Sequence, residues 1–371
     1  MRITEYEVLG RLPDPFRTED GRRVCSVTDW ERHRQTLRRL CMETQFGTLP
    51  PAPEMLSVEP MSLNTPHTYR IHCGRGISFQ MTVFLPKNVP NPPAVIDGDL
   101  CFRYPYDRAF YRAFTDCGIA AVFFNRTELA PDLAAAGRHG QLYDAYPEYG
   151  FGAIGAWAWG YSRCVDALER LGIVDLRRIA FTGHSRGGKT ALLAGALDER
   201  AAIVNPNDSG CCGSGCHRVR MAAFDEAGQE RRSERLSDLC AKFPHWLSPG
   251  MAEYIDREAE LPFDGHFLKA LVAPRILLDG SAVSDIWANP VGTWQTDLAA
   301  REVYRFLDAE ENLLWYYRPG IHEHHISDVR RLVQVINGQT PEDLFCLPFD
   351  APEPIFDWHC PEKNKKQGEM L

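Results

Sequence analysis

Residues 179–198 read Ile179-Ala180-Phe181-Thr182-Gly183-His184-Ser185-Arg186-Gly187-Gly188-Lys189-Thr190-Ala191-Leu192-Leu193-Ala194-Gly195-Ala196-Leu197-Asp198. A short apolar strand, Ile179 to Phe181, runs into Gly183-His184-Ser185-Arg186-Gly187, and a helix of small residues, Thr190 to Ala196, follows at once. This is G-x-S-x-G in its strand–turn–helix context, a nucleophile elbow. The turn leaves no room for a Cβ at its flanks, so Gly183 and Gly187 are required there. Ser185 is left at the apex, and the helix N-terminus behind it aims backbone N–H groups at a developing oxyanion. The competing reading is a glycine-rich turn whose serine only caps a helix.

Outward from the elbow, apolar strands alternate with helices. Strands are expected at 77–86, 95–96, 119–124, 201–204, 276–278 and 313–317. Helices are expected from Phe110, over Gly152–Leu171, and at 233–241, 296–307 and 327–336. Asp29 is positioned to cap a further helix running from Trp30 to Glu43. Such alternation implies an α/β fold with a mostly parallel central sheet covered on both faces, a three-layer sandwich. Three regions follow: an N-terminal extension (1–70) packing on the core, a catalytic-type domain (71–340) with a cap or loop insertion at about 209–262, and a C-terminal tail (341–371) over the surface.

Composition restricts the function classes. The chain has 371 residues, 44% of them hydrophobic, enough for a sizeable core. A net charge of −9 argues against nucleic acid as a partner. The basic run Lys363-Asn364-Lys365-Lys366 is short and reads as a solvated tail. No apolar run is long enough to span a bilayer, and the first residues lack an apolar signal-peptide core, so the expected compartment is the cytoplasm. The scattered cysteines among the twelve then read as reduced, buried small hydrophobes.

A serine hydroxyl needs a base, and the base needs an orienting acid. In α/β-hydrolases the chain order is serine, acid, histidine. The loop after the last strand reads Arg318-Pro319-Gly320-Ile321-His322-Glu323-His324-His325 and supplies the base. Two aspartates compete as acid: Asp285, after strand 276–278, and Asp208, after strand 201–204. Zinc on His322, His324 and His325 is the competing use of the loop. It is disfavoured because a strand end lacks the i, i+4 helical spacing and no further Asp or His ligands lie close by. Cys211, Cys212, Cys216 and His217 raise the same question, but C-C-x3-C-H is not a zinc-knuckle spacing. No metal and no cofactor are expected.

At this point the residues resemble a family, the glucuronoyl esterases (carbohydrate esterase family 15), which are α/β-hydrolases. The resemblance begins at Tyr143-Asp144-Ala145-Tyr146 and runs through Ala156-Trp157-Ala158-Trp159-Gly160 and Asp166-Ala167-Leu168-Glu169 to the elbow. The family elbow G-C-S-R-x-G-K-x-A is matched by Gly183 to Ala191. The match continues at Asp198-Glu199-Arg200, Pro206-Asn207-Asp208-Ser209-Gly210, Leu261-Pro262-Phe263-Asp264 and Ala273-Pro274-Arg275, about half the chain in all. Members cleave the ester between lignin alcohols and the 4-O-methyl-glucuronic acid of xylan.

The resemblance implies roles. Arg186 helps stabilise the oxyanion. Lys189 binds sugar hydroxyls, and Trp287 stacks on a sugar face. Asp208 falls where many members keep a glutamate, and Asp285 where some keep an alternative acid. The family's G-G-H-x-H overlays Gly320 to His324, which makes His324 the base and His322 the runner-up. There are departures. His184 and His325 stand where some members place a pair of disulfide-forming cysteines, Asp208 is one methylene shorter than glutamate, and the family's uronate-reading glutamine and glutamate have no clear counterpart near Glu234 to Lys242.

The expectation is a serine carboxylic-ester hydrolase acting through an acyl-enzyme on a glucuronoyl or related carbohydrate ester. Its partner is a small-molecule or oligosaccharide ester, with no nucleic acid and no membrane. The alternatives are a carbohydrate acetylesterase on the same scaffold and a catalytically silent carbohydrate-binding relative.

Overall fold

A computed structural model describes residues 5–224, 228–347, 349–350 and 352–363. Twelve strands follow in chain order: β1 (Glu5–Val8), β2 (Ser57–Ser62), β3 (His67–His72), β4 (Ser78–Phe84), β5 (Ala94–Asp97), β6 (Ala120–Phe124), β7 (Ile179–His184), β8 (Ala201–Asn207), β9 (Val219–Phe224), β10 (Glu230–Arg232), β11 (Ile276–Ala282) and β12 (Leu313–Arg318). The α-helices are α1 (Val27–Cys41), α2 (Arg108–Thr115), α3 (Gln141–Ala145), α4 (Ala153–Leu171), α5 (Arg186–Leu197), α6 (Leu236–Lys242), α7 (Gly265–Val272), α8 (Pro290–Phe306) and α9 (Ile326–Ile336).

Nine strands form one sheet in the order β12-β11-β8-β7-β5-β6-β4-β3-β2. Pairing is parallel from β12 to β6 and antiparallel from β6 to β2. The parallel strands β5 and β6 are buried along their whole length, as strands covered on both faces must be. On one face, α4, α5, α7 and α8 pack side by side, with α1 against α7. On the other, α2 and α9 close a thinner layer over Phe84, Val95, Phe123, Ala180 and Leu278. The three-layer α/β-hydrolase architecture expected from the sequence is therefore present.

The region boundaries shift. Residues 57–72, expected within an N-terminal extension, form β2 and β3, the antiparallel edge of the main sheet. Ser26, not Asp29, caps α1: the Asp29 N–H donates to Ser26 Oγ at 3.1 Å and the Ser26 hydroxyl returns to the Asp29 carboxylate at 2.7 Å. The expected insertion, 209–262, is packed at its start. Its start is buried through Val219, and β9 and β10 join β1 in a small antiparallel sheet.

The tail also packs rather than trails. Leu344 is buried and bridged to Tyr316, and the Trp358 indole N–H donates to the Leu12 carbonyl at 2.9 Å. In the basic run, Lys363 pairs with Asp308, and residues 364–366 lie outside the described residues. Among the described residues, no helix is long and apolar enough to cross a membrane.

Candidate active site

The site sits at the C-terminal ends of the parallel strands, where three loops converge. β7 ends at His184, and α5 starts at Arg186. Ser185 between them has φ 57° and ψ −119°, a strained left-handed conformation of the kind that clusters at functional sites. A Cβ on Gly183 would lie 2.4 Å from the Gly187 carbonyl oxygen, and one on Gly187 would lie 2.5 Å from the Asp99 carboxylate. The turn thus closes only with glycine at both flanks. The first-turn N–H groups of α5 have no acceptors within the helix and face the serine side of the turn.

The loop after β12 brings His322 over the serine. Ser185 Oγ lies 2.8 Å from His322 Nε2, and His322 Nδ1 lies 2.5 Å from Asp285 Oδ2. A carboxylate only accepts, so Nδ1 carries the proton and Nε2 is left to receive the serine's. Asp285 is buried, follows β11, and takes the Ala288 N–H on its other oxygen at 3.2 Å.

Two residues favoured by the family overlay lie elsewhere. His324 does not reach Ser185. Its ring packs edge-on against Phe110 (centroids 4.9 Å) and Tyr104 (5.3 Å) and stacks on His184 at 5.7 Å. Two residues beyond His322, it turns beneath the loop towards the α2 layer. Burial, then the nearby Arg318 charge, pushes its pKa down to about 3, so it is neutral and unprotonated at Nδ1 or Nε2 according to tautomer. Asp208 does not touch His322 either. Its Oδ1 accepts the Ala282 N–H at 2.6 Å and its Oδ2 accepts from Arg318 at 3.1 Å. Burial and the Asp285 charge raise its pKa well above the usual carboxylate range. The imidazole nearest to it belongs to His184, at 3.9 Å.

The remaining candidates flank this centre. The Arg186 guanidinium lies over the rings of Trp246 (4.7 Å) and Phe243 (5.1 Å) and donates to Asp132 at 2.8 Å. Burial opposes the charge on Asp132, but hydrogen bonds from His245, Arg186 and Trp246 outweigh it and hold the carboxyl well below its ordinary range. Arg186 is thereby aimed by a fixed aromatic and anionic cradle. Lys189 is not open to a sugar: it is buried, and its ammonium bonds the Ser209 carbonyl, the Cys211 carbonyl (2.7 Å) and Glu234 (2.8 Å). Those three acceptors match its three N–H groups. Trp287 is half-buried, with the Lys242 ammonium 4.6 Å from its ring centre.

Several residues found here stand outside the roles that the sequence motifs assign. His184 stands beside His322 (centroids 4.6 Å) with Nδ1 donating to Asn207 at 2.7 Å; burial, then the neighbouring imidazoles, lowers its pKa well below 6.5. Asp99 pairs with the fully buried Arg126 beneath Gly187. Glu234 lies just ahead of α6, and its N–H donates to the Trp287 carbonyl at 2.9 Å. Only His184 carried a visible signal, its place inside the elbow.

The cysteine-rich stretch gathers more closely than its spacing suggested. Cys211 Sγ lies 3.7 Å from His217 Nδ1 and 4.0 Å from Cys212 Sγ, all buried. Cys216 instead points at Asp264, at 3.4 Å. Three donors fall short of the four protein ligands of a structural zinc site.

Comparison with known proteins fits this geometry. The family model described as "Glucuronyl esterase, fungi" matches residues 71–308. A 4-O-methyl-glucuronoyl methylesterase from Podospora anserina is 33% identical over 82% of this chain, and the match spans 62% of that relative's own length. A family 15 glucuronoyl esterase from Caldicellulosiruptor kristjansonii superposes with a TM-score of 0.83 at 31% identity, covering 94% of this chain and 96% of that one. A glucuronoyl esterase mutant from Sporotrichum thermophile, solved with methyl 4-O-methyl-beta-D-glucopyranuronate, gives a TM-score of 0.73 at 27% identity, covering 92% of each chain. An elbow serine within hydrogen-bonding reach of a loop histidine, the sheet that carries both, and a family match over most of the chain lead to one statement: the chain belongs to the glucuronoyl esterases of carbohydrate esterase family 15.

Proposed function

We propose that this protein is a serine carboxylic-ester hydrolase acting on carbohydrate esters, with esters of a glucuronic acid as its substrates. The observation that carries the reading is the continuous hydrogen-bond chain Ser185–His322–Asp285. In the proposed reaction His322 Nε2 takes the Ser185 proton as Oγ attacks the ester carbonyl carbon. Arg186 and the first N–H groups of α5 meet the oxyanion. His322 then protonates the departing alcohol, leaving the uronic acid esterified to Ser185. Water, deprotonated by the same imidazole, attacks the acyl carbon and releases the free acid. Asp285 holds Nδ1–H throughout and steadies the imidazolium.

Support for a uronate ester comes from relatives bearing glucuronoyl esterase names and from the neighbour solved with a methyl glucuronate ester. Hydrolysis of methyl 4-O-methyl-glucuronate, compared with an acetylated sugar, tests it. The methyl uronate should be the better substrate by kcat/KM, and Ser185→Ala should lower its kcat by about 10⁶-fold. Preference for the acetyl ester would make the protein an acetylesterase, and no turnover of either would leave a binding protein. We also propose a reducing compartment, the cytoplasm. Cys41, Cys73, Cys164, Cys211, Cys212 and Cys216 are buried free thiols, which supports the reading, and cell fractionation tests the assignment.

A further inference from the structure

Arg318 has no part in the reaction above, yet it is the cation most closely tied to the base. It ends β12, and its side chain is buried. Nε donates to both oxygens of Asp328, at 2.9 and 2.8 Å. Nη1 donates to the Pro319 carbonyl at 3.3 Å. Nη2 donates to Asp208 at 3.1 Å, to the Ile321 carbonyl at 3.4 Å and to the Glu323 carbonyl. Ile321 and Glu323 bracket His322, so one amino group holds the carbonyls on either side of the base.

The other end of this connection reaches the acid. Asp208 Oδ1 accepts from the N–H of Ala282, the last residue of β11, three positions before Asp285. Backbone bonds run beside it: Val283 N–H to the Arg318 carbonyl (2.9 Å) and Ser284 N–H to the Gly320 carbonyl (3.0 Å). Gly320 has φ +119°, and a Cβ there would fall 2.8 Å from Arg318 Nη1. The loop therefore folds back over the guanidinium only because this position has no side chain.

We propose that Asp208, Arg318 and Asp328 form a buried clamp that positions His322 against Ser185 and Asp285. Asp208 then acts on the geometry of the histidine loop, not on the imidazole. The clamp rests on the esterase reading, in which His322 is the base. A guanidinium is needed because only its planar fork reaches two carboxylates and several carbonyls at once; a lysine ammonium cannot.

The test uses Arg318→Lys, Asp208→Asn and the double variant, with Asp285→Asn and Ser185→Ala as controls. Asp208→Asn keeps an oxygen for the Ala282 N–H, replaces the oxygen that accepts from Arg318 with an amide donor, and carries the test alone if Arg318→Lys fails to fold. Each variant should lower kcat roughly 10- to 100-fold with KM nearly unchanged, because a small displacement of the base reduces the fraction of reactive geometry. The downfield proton resonance of the His322–Asp285 bond should broaden or vanish in both while the melting transition stays cooperative. The double variant should be no slower than the slower single, because both break one network.

Wild-type kcat with an intact resonance in Asp208→Asn overturns the clamp. So does a loss in Asp208→Asn equal to that in Asp285→Asn, which would make Asp208 the acid itself. Multiplying losses in the double variant would also overturn it. Full activity in Ser185→Ala would instead sink the esterase reading beneath it.

Discussion

At the scale of single residues, the histidine loop divides labour between two imidazoles two positions apart. His322 bonds Ser185 and Asp285, whereas His324 packs on Phe110 and Tyr104. His322→Asn should therefore cost at least about 10³-fold in kcat. His324→Phe, which keeps an aromatic ring in an aromatic pocket, should cost less than about tenfold. Parallel kinetics on one activated ester check the pair, and similar losses in both would contradict the assignment. His324 has a second consequence. Unfolded, it takes up a proton near pH 6.5; folded, only near pH 3. Between those values the unfolded chain binds more protons, so this group's contribution is complete above pH 6.5 and falls as the solution is acidified. The slope is at most about 1.4 kcal/mol per pH unit. His324→Phe should remove that share, flattening the decline in urea-unfolding free energy between pH 6.5 and 4.5. An unchanged slope would show that His324 is protonated as readily in the fold as outside it. The sequence exposed the candidates but not the choice. Two histidines at i and i+2 look equivalent until Gly320 bends the loop, and Asp208 and Asp285 look equivalent until Arg318 is seen to occupy one of them.

At the scale of elements, the elbow is the part most fully legible in the sequence. Its strand, turn and helix have no freedom beyond the two flanking glycines. A Cβ at position 187 meets the Asp99 carboxylate, which Arg126 holds rigidly from below. Gly187→Ala should therefore push α5 or Asp99 out of place, lowering both the melting temperature and kcat. Gly195→Ala is the informative comparison. Its added Cβ would meet Val204 at 2.3 Å, far from the serine, so it should destabilise the fold with a smaller effect on kcat per degree of melting temperature lost. Equal ratios in the two variants would remove the special role of the turn. Elements without a periodic apolar pattern were less legible. β2 reads Ser57-Val58-Glu59-Pro60-Met61-Ser62 and is mostly exposed at the sheet edge, so its pairing with β3 rather than its composition makes it a strand. α7 is short and buried throughout, so no amphipathic stripe marks it against its neighbours.

At the scale of the whole molecule, segments 12–16 and 355–358, far apart in sequence, fasten each other beside the helical layer. The Leu12 N–H donates to the Ile355 carbonyl, and the Trp358 indole returns a bond to the Leu12 carbonyl, both at 2.9 Å. Trp358 also packs against Phe356 (4.6 Å), His266 (5.8 Å) and Phe16 (6.3 Å). Phe16 in turn meets Trp30 and Phe306, so the tail reaches into the main core through one aromatic chain. None of this was visible in a proline- and charge-rich ending, because long-range contacts leave no periodic trace in a short segment. Trp358→Ala opens a cavity in that chain and frees the Leu12 carbonyl. It should lower the unfolding free energy by about 3 kcal/mol, within the usual range for a buried aromatic. The partners of Trp358, namely Leu12, Phe16, His266 and Phe356, include no member of the triad, so kcat on a uronate ester at 25 °C should stay within about twofold of wild type. Urea unfolding and steady-state kinetics on the same preparation measure both. A loss below about 1 kcal/mol would mean that the tail rests on the core without supporting it.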